Sequence, residues 1–126
     1  GHVIVGNYAV IGGLAAVHQF IHIGDHAMIS GGSLVRKDVP PFTKAAKEPL
    51  SYVGINSIGL RRRGFTTEKI REIQDIYRIL YQKNYNTTQA IGIIEAEMEA
   101  TPERDEILDF IRNSSRGVMK GYSGNY

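Results

Sequence analysis

The side chains with most to offer chemically are four histidines and a run of three arginines. His18, His22 and His26 follow one another at intervals of four, and Arg61, Arg62 and Arg63 stand together. Imidazole titrates near neutral pH and is the natural general base. Arginine forks grip phosphate oxygens in pairs, although three arginines also suit a solvated basic corner. No serine–histidine–carboxylate arrangement stands out. With no cysteine there is no thiol nucleophile, no thiolate zinc site and no disulfide. Histidines four apart share a face of a helix and there suit a metal. What these groups can do therefore depends on the element that carries them.

That element is not a helix. From Val3 the chain reads in sixes, and the third place of every six is β-branched: Val5, Ile11, Val17, Ile23, Ile29, Val35. The next place is usually tiny: Gly6, Gly12, Gly24, Ser30. A sustained period of six marks a hexapeptide-repeat parallel β-helix. Each six gives a short strand and a corner, and three sixes close one turn of a three-sided coil. The stiff aliphatic residue points inward and stacks on its partner one turn away. Val5 is expected over Ile23, Ile11 over Ile29 and Val17 over Val35. The small residue is expected to turn the corner, where glycine accepts unusual backbone angles.

This register reinterprets the candidate residues. His18, His22 and His26 occupy three different places of the six, so they point in different directions, and no metal site is expected. His18 and Arg36 stand where the pattern prefers glycine, on the same edge of successive turns. They either mark a site there or show that this corner tolerates bulk. Glycines 6, 12, 13, 24, 31 and 32 are coil residues, not a phosphate loop, because no strand-to-helix transition follows them.

The rest of the chain must complete this coil. Residues 1–40 read as coil, 41–65 as a connector with room for a short strand or turn, and 66–126 as a small α-helical domain. Pro40, Pro41 and Pro49 stop helix and central strand alike. Thr66 is a helix N-cap, with Phe65 and Ile70 at the staple positions. Ile70, Ile73, Tyr77, Leu80 and Tyr81 follow at helical spacing, and Asn84–Asn86 ends that helix. Asn86 or Thr87 caps a second helix with the stripe Ile91, Ile94 and Met98. Thr101 and Pro102 open a third, carrying Ile107, Leu108 and Ile111. Gly117 is expected as its C-cap, and residues 121–126 as a frayed tail.

Bulk properties exclude several classes. At 126 residues this is one domain, or one domain with an appendix. The net charge of +2 is too small to argue for nucleic acid. No apolar run approaches the roughly 18 residues that span a bilayer, so no stable membrane insertion is expected. No signal peptide is visible, and the absence of cysteine suits the cytoplasm. Two turns of coil leave an open strand edge. The expectation is the C-terminal part of a longer solenoid, or a coil that leans on oligomer contacts.

Three stretches carry a family resemblance: Gly12-Gly-Leu-Ala-Ala-Val-His-Gln-Phe20; Gly59-Leu-Arg-Arg-Arg-Gly-Phe65, preceded by Asn56; and Ser114-Ser-Arg-Gly117. Together they resemble the C-terminal half of the bacterial acyl-[acyl-carrier-protein]–UDP-N-acetylglucosamine O-acyltransferase family of lipid A biosynthesis. The resemblance implies a left-handed coil in a cytoplasmic homotrimer, with active sites between neighbouring coils. It implies transfer of an (R)-3-hydroxyacyl chain from acyl carrier protein to the sugar 3-hydroxyl. No cofactor is implied beyond the phosphopantetheine arm of the carrier, which is a co-substrate. By position, Gly1 matches an oxyanion donor. His2, His18 and Gln19 match residues of the nucleotide-sugar and thioester site. Gly31 matches the place that measures acyl length. Asn56, Arg62 and Arg63 match residues near polar substrate groups and the carrier arm. Ile58 and Pro49 depart from better-known members, which bear on uridine contacts and acyl length. The family's histidine base belongs to a His-x-x-His stretch, and no such stretch occurs here, so this chain alone is expected to be inactive. Two other readings stay open: the N-acyltransferase later in the same pathway, and a non-catalytic trimeric scaffold or binding module.

Overall fold

The structure is a computed structural model that describes residues 1–82 and 84–122. Its first part is built from two-residue strands: β1 (Ile4–Val5), β2 (Val10–Ile11), β3 (Ala16–Val17), β4 (His22–Ile23), β5 (Met28–Ile29) and β6 (Leu34–Val35). They pair in parallel with partners one turn away. Val5 faces Ile23, Ile11 faces Ile29 and Val17 faces Val35, which is the predicted register. Ile23, Ile29 and Val35 are fully buried, whereas Val5 and Ile11 remain 47% and 38% exposed. Register and burial thus part company on the first turn, because among the described residues nothing stacks on its outer side.

The small places have a different cause from the one expected. A Cβ on Gly12 would lie 2.3 Å from the Gly31 nitrogen, and one on Gly24 would lie 2.5 Å from the Pro41 nitrogen. Turns approach too closely there for a side chain. The positive φ falls two places later, on Tyr8 (61°), Leu14 (60°), Phe20 (67°), His26 (60°) and Gly32 (74°). Bulky L-residues hold the left-handed conformation at a real energetic cost, and the ladder on either side imposes it.

The coil does not stop at residue 40. Val39 bridges to Ile23, and β7 (Thr43–Ala46) pairs in parallel with β5, matching Met28 to Lys44 and Ile29 to Ala45. The rhythm of inward residues is therefore six to Val35, four to Val39, and six again to Ala45. The short step carries the chain through Pro40 and Pro41 into a third turn. The connector, where the sequence left room for a short strand, then forms β8 (Ser51–Ile55), which doubles back antiparallel on β7. Gly121, the first residue of the expected frayed tail, instead joins Lys120 in β9 (Lys120–Gly121), parallel to β8. Residues 123–126 of that expected tail lie outside the described residues.

Four helices follow: α1 (Ser57–Arg62), α2 (Thr67–Leu80), α3 (Thr87–Glu97) and α4 (Pro102–Arg112). Thr66, Asn86 and Thr101 cap the last three through side-chain oxygens, as expected, and Gln89 completes a capping box with Asn86. α2 ends at Leu80, before Asn84, and α1 is an element that the sequence reading left inside the connector. Asn113, not Gly117, caps α4; Gly117 (φ 80°) instead turns the chain back to the coil. Ile70, Ile73, Ile76, Tyr77, Ile94 and Leu108 bury against one another and against Phe42. Tyr52 joins this helical core to the coil interior, stacking on Tyr81 at 4.5 Å. Among the described residues no helix is long and apolar enough to cross a membrane.

The C-terminal segment plugs the coil. Met119 is 1% exposed and packs with Leu50 and Ala45 inside the third turn. Buried Asp38 clasps it. Its carboxylate accepts from the His22 amide at 2.8 Å and from the Ser114 hydroxyl at 2.6 Å. Its own N–H donates to Gly117 O, and its carbonyl accepts from Met119 N–H.

Candidate functional site

Helix α1 exists to present polar groups at one edge of the coil. Asn56 is its N-cap: Oδ1 accepts from the Gly59 amide at 3.3 Å, and Nδ2 donates to the His26 carbonyl at 3.0 Å. Asn56 is only 5% exposed, so both ends of its amide are spoken for by the fold. Gly59 is required beside it, because a Cβ there would lie 2.5 Å from Asn56 Nδ2. One turn on, Arg62 and Arg63 reach a cleft of about 550 Å³ whose other walls include Val10, Met28, Ile55 and Lys44. Its lining combines the cations Lys44, Arg62 and Arg63 with apolar side chains. Arg61 stands exposed outside its lining.

Arg63 is fixed from the coil side. Its guanidinium lies 3.2 Å from His26 Nδ1 and 5.4 Å from the centre of the Tyr8 ring. Tyr8, His26 and Phe42 occupy equivalent positive-φ places on three successive turns and stack as a column, at 5.1 and 5.7 Å. Phe65 meets the His26 ring edge-on at 5.1 Å. Burial, then the Arg63 charge, lowers the pKa of His26 below its ordinary 6.5, with Asp25 opposing.

The other predicted site residues lie on different edges. His2 stacks on Phe20 at 5.5 Å, with the Arg116 guanidinium 5.8 Å from the Phe20 ring. His18 and Gln19 are exposed beside Phe20, and Gly1 is exposed with its carbonyl accepting from Phe20 N–H at 3.4 Å. Gly31 sits at a third place, where an added Cβ would be 3.0 Å from the Gly13 carbonyl. Arg36, paired with His18 in the sequence pattern, is tied up in an exposed ion pair with Glu48 at 3.0 Å. His22 tilts against Phe110 at 4.6 Å, so the three spaced histidines have different surroundings. One chain therefore gathers Asn56, Arg62 and Arg63, and separates them from His2, His18, Gln19 and Gly31.

A second cleft, of about 500 Å³, lies between the coil and α4. In it Glu106 neighbours Asp25, and burial, then the Asp25 charge, pushes the Glu106 pKa up to about 7. Asp25, Glu106 and Lys44 were not among the expected site residues, and His26 was expected only to point away from His18 and His22. An aromatic at residues 8 and 26, one turn apart, was a usable signal for the column. Nothing in spacing announces the Asp25–Glu106 pair, since its members come from distant elements.

The chain is similar to known proteins over most of its length. The family model for "Udp N-acetylglucosamine O-acyltransferase; Domain 2" matches residues 38–119. The acyl-[acyl-carrier-protein]–UDP-N-acetylglucosamine O-acyltransferase of Myxococcus xanthus is 39% identical over 114 residues, which are 90% of this chain and 44% of that protein. The protein of the same name from Burkholderia mallei is 38% identical over 124 residues, 95% of this chain and 47% of its own. The crystal structure of a UDP-N-acetylglucosamine acyltransferase from Bacteroides fragilis superposes with a TM-score of 0.91 at 47% identity, covering 94% of this chain and 46% of that one. The chain spans about half the length of the curated relatives it matches.

Proposed function

The chain belongs to the UDP-N-acetylglucosamine O-acyltransferase family, with its left-handed parallel β-helix and small α-helical domain, and from that premise we propose that it forms part of an acyltransferase site for a nucleotide sugar and an acyl carrier arm. The reaction moves an (R)-3-hydroxyacyl chain from acyl carrier protein to the 3-hydroxyl of UDP-N-acetylglucosamine, opening lipid A biosynthesis. The sugar oxygen attacks the thioester carbonyl; a C–O bond forms and the C–S bond breaks. The hydroxyl proton passes to a histidine base and on to the departing phosphopantetheine thiol. The His-x-x-His spacing of the family's base occurs nowhere among these residues, so the base is not one of them.

The observation that carries this reading is the α1 cleft, where arginines suited to phosphate oxygens stand beside an apolar wall suited to an acyl chain. In it, Arg62 and Arg63 hold phosphate, and Asn56 sets the geometry of the polar end. His2, His18 and Gln19 contact the sugar and thioester from a separate edge, with the Gly1 N–H facing the oxyanion and Gly31 at the acyl end. Because these residues sit on separate edges of one coil, a neighbouring copy supplies the missing edge. This is the reason to propose a homotrimer. The setting is cytoplasmic, with no membrane insertion.

The test is acylation by the whole protein, offered (R)-3-hydroxyacyl carrier protein and UDP-N-acetylglucosamine. The O-acylated nucleotide sugar is expected. His18→Ala should cut turnover by about tenfold or more, the loss of one charged or polar contact, while the oligomer stays folded. Undiminished turnover in that variant removes His18 from the site. Acylation only of a 3-O-acylated glucosamine acceptor would identify the N-acyltransferase instead. Calorimetry showing no binding of either substrate would identify a scaffold.

A further inference from the structure

We propose that His26 is the positioning residue of the α1 cleft, holding Arg63 through its ring and Asn56 through its backbone carbonyl. The functional half of this inference rests on the acyltransferase reading above. A guanidinium can only donate, so the 3.2 Å contact with Nδ1 makes that nitrogen the acceptor and leaves the ring proton on Nε2. The ring is itself immobilised on three sides, by Tyr8, Phe42 and Phe65. Its carbonyl, 3.0 Å from Asn56 Nδ2, ties the same residue to the cap of α1. One coil residue thus fixes both ends of the short helix, and a guanidinium ordered in advance loses less entropy on taking a phosphate. The charged and titratable neighbours of the ring are Arg63, Asp25 and the stacked Tyr8. Protonating the ring would replace the acceptor with a second donor facing Arg63.

Two variants separate the ring's stacking from its hydrogen bond. His26→Phe keeps the column and the backbone conformation, since Phe20 (φ 67°) and Phe42 (φ 70°) occupy equivalent places, but it offers Arg63 no acceptor. His26→Asn loses the stack but keeps an oxygen near the Nδ1 position, on a residue tolerant of positive φ. In the whole protein, His26→Phe should raise about tenfold the KM for whichever substrate brings its phosphate to Arg63, with kcat nearly unchanged, the pattern of a lost binding contact. Varying the nucleotide sugar and the carrier protein separately tells the two phosphate sources apart. His26→Asn should recover most of that loss. Nitrogen NMR of the imidazole should show the Nε2–H form in the parent protein, with Nδ1 shifting when Arg63→Gln removes the donor. Both KM values unchanged in a folded His26→Phe protein, or an Nδ1–H ring in the parent, would overturn the proposal. A parent protein that binds and acylates nothing would sink the acyltransferase reading instead, while the NMR result would still decide whether His26 holds Arg63.

Discussion

Glu106 on α4 and Asp25 on the coil form a carboxyl–carboxylate pair whose proton should make stability depend on pH. Asp25 Oδ1 already accepts from the Asn7 amide at 2.7 Å, and it is Glu106 whose raised pKa lets it carry the proton. Burial first, then Asp25, and last Glu103 move the Glu106 pKa from 4.5 to about 7. His22, Asp38 and Asp109 line the same cleft, and the Asp38 carboxylate is engaged by His22 N–H and Ser114. The folded value lies above the unfolded one. The pair's contribution is thus full below pH 4.5 and lost as pH rises through about 7. At about 1.36 kcal/mol per pH unit the displacement is worth about 3.4 kcal/mol in a dry site. Glu106 is only partly buried, and solvent screening brings this to about 1–2 kcal/mol. Glu106→Gln keeps a donor toward Asp25 and removes the charge. Against the parent protein it should be close to neutral at pH 5 and more stable at pH 8 by about 1–2 kcal/mol, or about 4–8 °C in thermal midpoint. Scanning calorimetry across that range reads the difference directly. Parallel stability curves for the two proteins, at any offset, would refute the shared proton.

Other perturbations test the coil and its plug. Gly24→Ala places a methyl 2.5 Å from the Pro41 nitrogen and 2.7 Å from its Cα, both backbone atoms that cannot swing away. A loss of about 1–3 kcal/mol by urea unfolding is expected, while Gly13→Ala, which meets open space, serves as the control and should cost far less. Asp38→Ala strands the His22 amide and the Ser114 hydroxyl, and should cost about 2 kcal/mol. Hydrogen exchange should show the Met119 amide, which donates to Asp38 O, opening faster than in the parent protein.

The period of six was legible because every turn repeats one demand, a stiff inward aliphatic followed by a place with no room. The third turn was hidden by two missing residues. Val39 follows Val35 by four, and two prolines stand where a strand reader expects none. The helical caps were legible because Thr66, Asn86 and Thr101 act within one turn of chain. α1 was not, since Gly59 reads against a helix and its justification, the closeness of Asn56, is visible only in three dimensions. Gly117 misled for the converse reason. Glycine after a helix is a stop signal, yet here its positive φ serves the return of the chain to Asp38. Of the site, the arginines were legible by type, whereas His26 was legible only as a coil residue without a metal, and its orienting contacts with Arg63 and Asn56 come from elements distant in sequence.

The tight glycines and the stacked rings have a common origin in the geometry of stacked turns. A parallel coil must place something at each corner in the left-handed conformation, and glycine there would leave nothing to stack. This chain instead spends strain on Tyr8, His26 and Phe42, whose rings recover contact along the column. The tight places at Gly6 and Gly24 then let neighbouring turns close enough for those rings to meet. Small residues and strained bulky ones are thus two halves of one arrangement, and its outer product is a rigid aromatic edge. A short helix can be anchored to such an edge at both ends, by Asn56 to the His26 carbonyl and by Arg63 to the His26 ring. A more mobile loop could not hold two cationic side chains over an apolar wall without losing conformational entropy each time a ligand arrived. At the Tyr8–His26–Phe42 corner the coil's strain thus supports the orientation of the polar groups of α1.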